Sequence, residues 1–178
     1  HTLNLDMNQE TAENVISCIG EQQVSLLQKR LKSRYKIEAN LKTPAVPYKE
    51  TIAGTADVHY KHKKQSGGKG QFGEVYFRVK PLARGAGFEF VNSVVGGRIP
   101  TKFIPAIEKG LVEVIGKGII SGNQIVDLCV DVYDGGYHDV DSSEMAFKIA
   151  AWNALKKAFE IAKPILLEPV HNVQSIIP

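Results

Sequence analysis

Hydrophobic and polar residues alternate along the chain in a way that separates a short first segment from a longer second one. In the first segment, alternation at 3–7 and an apolar run at 15–19 predict two strands, and helical spacing predicts a helix at 24–31. A further alternating stretch predicts a strand at 35–41. These pieces bury little apolar surface, so the segment is predicted to be incomplete or to depend on a neighbour. Two prolines then interrupt regular structure, and we place a domain boundary near Tyr48.

Longer runs of the same kind predict the order β-β-β-α-β-α-β in the second segment. The predicted strands cover 52–60, 75–80, 88–95, 125–133 and 165–173, and the predicted helices cover 101–116 and 142–163. Asp141 or Ser142 is expected to cap the long helix, with Glu144 in its first turn. Trp152 is expected to pack rather than to stack on a ligand. Helices that cover a sheet predict a two-layer α/β sandwich.

Composition and charge fit an ordinary soluble globular protein. The chain has 178 residues, 43% of them hydrophobic, and a net charge of +3, which is too small by itself to establish nucleic-acid binding. No apolar run approaches the ~20 residues that span a bilayer, and the N-terminus lacks a signal sequence, so we expect a cytoplasmic protein without membrane contact. Two distant cysteines predict neither a disulfide framework nor a zinc site. Because the chain begins at His1, we expect it to be part of a longer one.

Two glycine-containing turns carry the candidate binding chemistry. At 61–71, four lysines and a histidine lie beside glycines, and lysine charge with exposed backbone N–H groups is suited to phosphate. At 134–139, Gly135 and Gly136 let the chain reverse and leave Tyr137 and His138 at the apex, where they could contact a nucleic acid or another polar partner. From the residues alone, a solvated hairpin remains the alternative for each turn.

Catalytic motifs do not survive a test of their context. Gly68, Gly70, Gly73 and Val75 match the glycine loop of protein kinases, but no catalytic-loop or D-F-G motif follows. The glycines lead into an alternating strand rather than a helix, which argues against a dinucleotide site, and there is no P-loop motif. The acidic residues at 134–144 do not have the spacing of a calcium loop. We therefore expect no catalytic residue and no metal site in this chain.

Several longer blocks occur in one order along the chain. They are Q-S-G-G-K-G-Q-F-G-E-V at 65–75, G-F-E-F-V-N-S-V-V-G-G-R-I-P at 87–100, F-I-P-A-I-E-K-G at 103–110, Y-D-G-G-Y-H-D-V-D-S-S-E-M-A-F-K at 133–148 and L-L-E-P-V at 166–170. Together with K-R-L-K-S-R-Y-K-I-E-A-N-L-K-T-P-A-V-P-Y-K-E-T at 29–51, they closely resemble bacterial-type elongation factor G, the GTPase that moves tRNA and mRNA through the ribosome.

The resemblance implies two domains. Residues 1–48 correspond to the later part of the family's domain III, a partial ferredoxin-like fold. Residues 49–178 correspond to domain IV, a ribosomal-protein domain-2-like fold with a left-handed βαβ crossover, which is an exception to the usual hand. It also implies that both turns lie at a tip that enters the decoding region of the small subunit and contacts tRNA and mRNA. The implied contacts are Gly67, Gly68, Lys69, Gly70, Gln71, Gly136, Tyr137, His138 and Asp139, with basic support from Lys61, Lys63 and Lys64.

For the parent protein, the resemblance implies a translational GTPase. GTP and magnesium would bind a domain outside this chain, so the chain itself is expected to be no enzyme and to hold no cofactor, and the other domains of the same factor are expected partners. His138 matches the position that carries diphthamide in the eukaryotic relative, and the surrounding bacterial pattern implies an unmodified histidine.

One stretch departs from the family pattern. Residues 17–25 read S-C-I-G-E-Q-Q-V-S, where the family usually carries a sequence like S-G-M-G-E-L-H-L-E. This departure leaves open a divergent paralogue that acts in ribosome recycling or ribosomal protection. An interaction module unrelated to the ribosome is the remaining alternative.

Overall fold

The computed structural model describes residues 3–8, 10–65, 67–68 and 70–170 of the chain. These residues form two compact units, the first extending to Pro47 and the second running from Tyr48 to Val170. Each unit combines strands with helical structure, which confirms the predicted mixed α and β class.

The first unit contains one antiparallel pair of strands and one helix. Strand β1 (Leu3–Asn8) pairs with β2 (Glu13–Cys18) in a register that sets Leu3 opposite Cys18. Helix α1 (Glu21–Arg30) follows and continues into a π-helical turn at Leu31–Tyr35. No residue of α1 is fully buried, in keeping with the small amount of apolar surface in this segment.

The strand predicted at 35–41 is wrong. Lys36 adopts a left-handed conformation, with φ at 59°, which ends the helical turn and interrupts any extended run through this position. Tyr35 and Ile37 are 65% and 53% exposed, and within the described residues no strand pairs with this stretch. The alternating pattern therefore has no sheet on which to bury its apolar side chains.

The second unit is organised around a four-stranded sheet. The described strands of this unit are β3 (Lys49–Ile52), β4 (Ala56–Lys64), β5 (Gln71–Pro81), β6 (Phe88–Asn92), β7 (Leu128–Gly136) and β8 (Pro164–Leu167). The main sheet has the spatial order β4-β5-β7-β6, in which only β6 and β7 are parallel neighbours. Strands β3 and β8 form a separate antiparallel pair.

Several strand boundaries differ from the predicted ones for local reasons. The strand predicted at 52–60 is divided in two, because the chain bends at Gly54, whose N–H donates to the carbonyl of Ala162 at 2.9 Å. Strand β7 begins three residues later than predicted, because Asp127 has a φ of 57° and cannot extend the strand. The last strand is shorter than the predicted 165–173, and the part of that range from 171 onward lies outside the described residues.

Two helices complete the second unit. A 3-10 turn at Thr101–Phe103 leads into α2 (Ile104–Lys117), which has Pro105 in its first turn as predicted. Helix α2 links the parallel strands β6 and β7, which confirms a βαβ unit. Helix α3 (Glu144–Ile161) packs on β4, β5 and α2, and Phe77, Phe147 and Phe159 are fully buried.

Two predictions for α3 are wrong. Its N-cap is Ser143, whose Oγ accepts a hydrogen bond from the backbone N–H of Ala146 at 3.2 Å, whereas Asp141 and Ser142 are engaged elsewhere. Trp152 is 51% exposed rather than packed. The buried stripe of α3 is filled mainly by alanines, which let the helix approach the sheet closely, and Trp152 lies outside that stripe.

Candidate nucleic-acid interface

The two predicted turns lie at the same end of the main sheet. We call residues 65–70 the glycine–lysine loop and residues 137–143 the histidine loop. The first joins β4 to β5, and the second joins β7 to α3. The register sets Lys64 opposite Gln71 and Glu74 opposite Gly136, so both loops leave the sheet at the same end of its strands. The fold therefore brings together residues that lie about seventy positions apart in the chain.

Direct hydrogen bonds connect the two loops. The backbone N–H of Gly70 donates to Asp141 Oδ1 at 2.9 Å, and the N–H of Phe72 donates to the carbonyl of Asp141 at 2.9 Å. Ser142 Oγ donates to the carbonyl of Phe72 at 3.0 Å. Gly70 is buried, and a Cβ there would lie 3.0 Å from Asp141 Cγ, so the close approach favours glycine. These bonds hold Gly70 and Phe72 against the histidine loop.

His138 is exposed but firmly oriented. Its side chain is 56% accessible, and its Nδ1 lies 3.3 Å from the backbone nitrogens of both Val140 and Asp141, which donate to it. The backbone N–H of His138 donates to Ser142 Oγ at 2.9 Å, and the backbone carbonyl of His138 accepts from the N–H of Ser142 at 3.0 Å. The imidazole centroid is 6.3 Å from that of Phe72 on β5. The ring thus combines access to solvent with a fixed direction.

The other described residues among the predicted contacts differ in their exposure. Tyr137 is 46% exposed, and Asp139, Gly67 and Gly68 are also exposed. Gln71 is half-buried and its Oε1 lies 2.9 Å from His62 Nε2, so it faces the sheet as well as the loop. Gly136 ends β7 and is half-buried. Lys69 lies outside the described residues.

The supporting lysines lie on a strand rather than in the loop. Lys61, Lys63 and Lys64 all belong to β4 and are exposed. Lys61 Nζ is 3.7 Å from Glu74 Oε2 and 5.1 Å from the centroid of the Phe72 ring. Its charge is therefore partly offset by a carboxylate, which weakens its expected contribution to phosphate binding.

Sequence reasoning missed three side chains at this site. Asp141 and Ser142 were interpreted as helix caps, but they connect the loops, and Ser143 supplies the cap. Phe72 lies in the block at 65–75 without a predicted role of its own, although its backbone and ring both contact the histidine loop. The sequence does contain a signal for this arrangement: Ser143, next to Ser142, can also cap the helix. With Ser143 as the cap, Asp141 and Ser142 are available for other contacts.

A second aromatic group lies on the sheet face opposite the buried side chains. His59 stacks on Tyr76 with centroids 4.3 Å apart, and the Arg78 guanidinium lies 4.0 Å from the centroid of Tyr133. The Tyr133 hydroxyl donates to Asp57 Oδ1 at 2.6 Å, and this hydrogen bond, with burial as a second cause, raises the pKa of Tyr133 to about 12. These side chains largely satisfy one another, so they stabilise the sheet face.

Metal-binding clusters and membrane-spanning helices are both absent from the described residues. No three histidine, cysteine or acidic residues gather where they could hold a metal ion, in the part of the chain that the structure covers. None of the described helices has both the length and the apolar character needed to cross a bilayer.

Comparison with known proteins gives two consistent results. A family model described as "Elongation factor G, domain IV" matches residues 44–163, and one described as "Elongation Factor G, domain III" matches residues 1–43. A crystal structure of a protein from Thermus thermophilus is similar, with a TM-score of 0.80 and 40% sequence identity over 92% of this chain. The match covers 24% of the Thermus protein, so the chain spans about a quarter of its length.

Proposed function

This chain belongs to the elongation factor G family, in which it covers the end of domain III and domain IV, and we propose that it helps to move tRNA and mRNA on the ribosome. In this proposal the glycine–lysine and histidine loops enter the decoding region of the small subunit. The task is mechanical: the α/β body carries the two joined loops to RNA, and no bond is made or broken in this chain.

The observation that supports this proposal best is the joined pair of loops. Asp141 holds Gly70 and Phe72 through both its side chain and its carbonyl, while His138 remains 56% exposed beside them. RNA-binding surfaces commonly combine exposed rings and hydrogen-bonding groups with backbone N–H groups near phosphate. The contacts of His138 with its own loop fix the direction of the exposed ring, which lowers the entropic cost of binding.

The exposed lysines of β4 extend the proposed contact with RNA. Lys63 and Lys64 would offset phosphate charge near the loops, so binding of the whole factor should weaken as salt increases. GTP and magnesium would bind elsewhere in the factor, since no G-x-x-x-x-G-K-[ST] motif occurs in this sequence. GTP hydrolysis in that other domain would shift the whole factor between its conformations. The proposed location of the factor is the cytoplasm.

Replacement of His138 tests the proposal. In the whole factor, His138→Ala should slow translocation about tenfold, which corresponds to the loss of one good hydrogen bond, and should leave ribosome-stimulated GTP hydrolysis close to normal. Lys156→Ala, on the exposed side of α3, is the matched control and should change neither rate. An equal loss of both activities in His138→Ala would count against a role of this loop in translocation.

A paralogue with a related task is the second candidate. The departure at 17–25 covers the end of β2 and the start of α1, which is where the sequence differs from the family pattern. A factor for ribosome recycling or ribosomal protection would share the architecture. Parallel assays of translocation and of tetracycline release from ribosomes separate these tasks, and activity in the second assay alone would replace the first proposal.

A further inference from the structure

The hydrogen bonds around His138 determine which of its ring nitrogens carries the proton. Backbone N–H groups of Val140 and Asp141 both point to Nδ1 at 3.3 Å. An N–H donor needs a lone pair on its acceptor, so Nδ1 must be unprotonated while these contacts hold. The proton of the neutral ring then lies on Nε2, the nitrogen not engaged by the loop.

A carboxylate near the same nitrogen does not change this assignment. Asp141 Oδ2 lies 3.7 Å from His138 Nδ1, which is beyond hydrogen-bonding distance. The other oxygen of that carboxylate already accepts the Gly70 N–H at 2.9 Å. Protonation of Nδ1 would therefore forfeit two backbone contacts in exchange for one longer contact to a carboxylate that is engaged elsewhere.

The backbone on both sides of this ring is also tied to the neighbouring strand, through Asp141 and Ser142. Ser142 Oγ accepts from the backbone N–H of His138 and donates to the Phe72 carbonyl, so one hydroxyl bridges the backbone at His138 to β5. Asp141 donates its N–H to the ring and accepts from Gly70 and Phe72. These bridges hold in place the loop backbone that supplies both N–H donors to Nδ1.

From this geometry we propose that His138 meets RNA as a hydrogen-bond donor through Nε2–H, with Asp141 and Ser142 as positioning residues. The inference rests on the function proposed above and adds the chemistry of the contact. The partner group on RNA is an acceptor, either a phosphate oxygen or an acceptor atom of a base. A ligand group that only donates hydrogen bonds is not accommodated at this position.

The first test reads the tautomer directly and does not involve the ribosome. Nitrogen-15 NMR of the 178-residue chain near pH 8.5, about two units above an ordinary histidine pKa, should show His138 protonated at Nε2 and unprotonated at Nδ1. Ser142→Ala and Asp141→Asn should move these shifts toward the average of the two tautomers. A wild-type ring that is protonated at Nδ1, or already averaged, would overturn the proposal.

The second test uses two variants that divide the functions of the ring. His138→Asn can keep an acceptor near the place of Nδ1 but has no donor at the place of Nε2, whereas His138→Gln can carry an N–H to the outer position. In the whole factor, translocation should fall about tenfold in His138→Asn, as in His138→Ala, and should be at least half recovered in His138→Gln. Equal rates for the Asn and Gln variants would overturn the donor role.

The two tests separate this inference from the function on which it rests. If His138→Ala leaves translocation unchanged, the proposed function and the RNA contact both fail, whatever the tautomer. If His138→Ala slows translocation but the Asn and Gln variants do not differ, the function stands and the donor role fails. Replacement of RNA phosphate oxygens by methylphosphonate, against 7-deaza substitution of purines, then distinguishes a phosphate acceptor from a base acceptor.

Discussion

Near each end of β7, a carboxylate accepts backbone N–H donors from a loop that is distant in sequence. The two carboxylates, Glu50 and Asp141, differ in their burial and in the number of these donors. Ahead of β7, Glu50 is fully buried and accepts from the N–H groups of Ile119, Ile120, Ser121 and Asn123 and from the Ser121 hydroxyl. Beyond β7, the side chain of Asp141 is 21% exposed and accepts from a single N–H, that of Gly70.

The same kind of contact therefore has a different role at each end of β7. Burial by itself would raise the pKa of Glu50, but the four backbone donors outweigh it, so the pKa lies below the ordinary value. Away from water such hydrogen bonds are strong, and loss of the carboxylate would leave several donors unsatisfied. At Asp141 water can replace the lost contact. The buried carboxylate therefore mainly stabilises the fold, and the exposed one mainly fixes the position of a loop.

Replacement of Glu50 should produce the largest change. Glu50→Gln places an amide N–H group against backbone donors and removes the charge, so the free energy of unfolding of the chain should fall by about 3 kcal/mol. Urea denaturation followed by circular dichroism measures it. Glu113→Gln is the control, because Glu113 pairs with Lys148 on the surface, and it should leave the transition nearly unchanged. Equal shifts in both variants would remove the contrast between buried and exposed carboxylates.

The sequence predicted the repetitive parts of the fold better than the contacts between its ends. The alternation of Val75, Phe77 and Val79 on β5 matches their burial, because a strand that packs on helices has a local signature. The bond between Gly70 and Asp141 joins residues 71 positions apart, and no periodicity reports it. Position 127 shows the same limit: Asp127 has a positive φ, and its carboxylate accepts the N–H groups of Gly85 and Gly87, about forty positions away in the chain.

The candidate site shows where motif reasoning succeeds and where it stops. The two turns were predicted as exposed glycine-containing loops, and the structure places them side by side. Their function as an RNA contact remains a prediction. The alternation at 35–41 shows the reverse error, since a strand pattern without a partner strand does not form a strand.

Substitution of one glycine near each carboxylate tests the same comparison, and we expect these changes in unfolding free energy to be smaller than that of Glu50→Gln. Gly118 has a φ of 72°, and a Cβ there would lie 2.6 Å from the Asn123 nitrogen and 2.7 Å from Glu50 Oε1. Gly118→Ala should therefore lower the free energy of unfolding by about 2 kcal/mol, because backbone strain adds to the steric conflict. Urea denaturation provides the measurement.

Gly70→Ala is the matched change at the exposed end. Its Cβ would lie 3.0 Å from the carboxyl carbon of Asp141, a side chain that can move toward solvent. We expect a loss below about 1 kcal/mol, together with altered amide NMR signals in both loops. A loss in Gly70→Ala as large as that in Gly118→Ala would mean that the loop contacts stabilise the whole unit.

The smallest expected effect is the pH dependence of the Glu50 contribution. A carboxyl whose pKa is lower in the folded state stabilises the protein fully above its unfolded pKa, ordinarily near 4.3, and this contribution is lost as pH falls through the folded value. The difference in unfolding free energy between the native chain and Glu50→Gln should therefore be constant well above the unfolded pKa of about 4.3 and shrink as the pH falls below it. Urea denaturation of both proteins at a series of pH values measures it, and a difference that grew on acidification would mean that burial, rather than the backbone donors, dominates the carboxyl of Glu50.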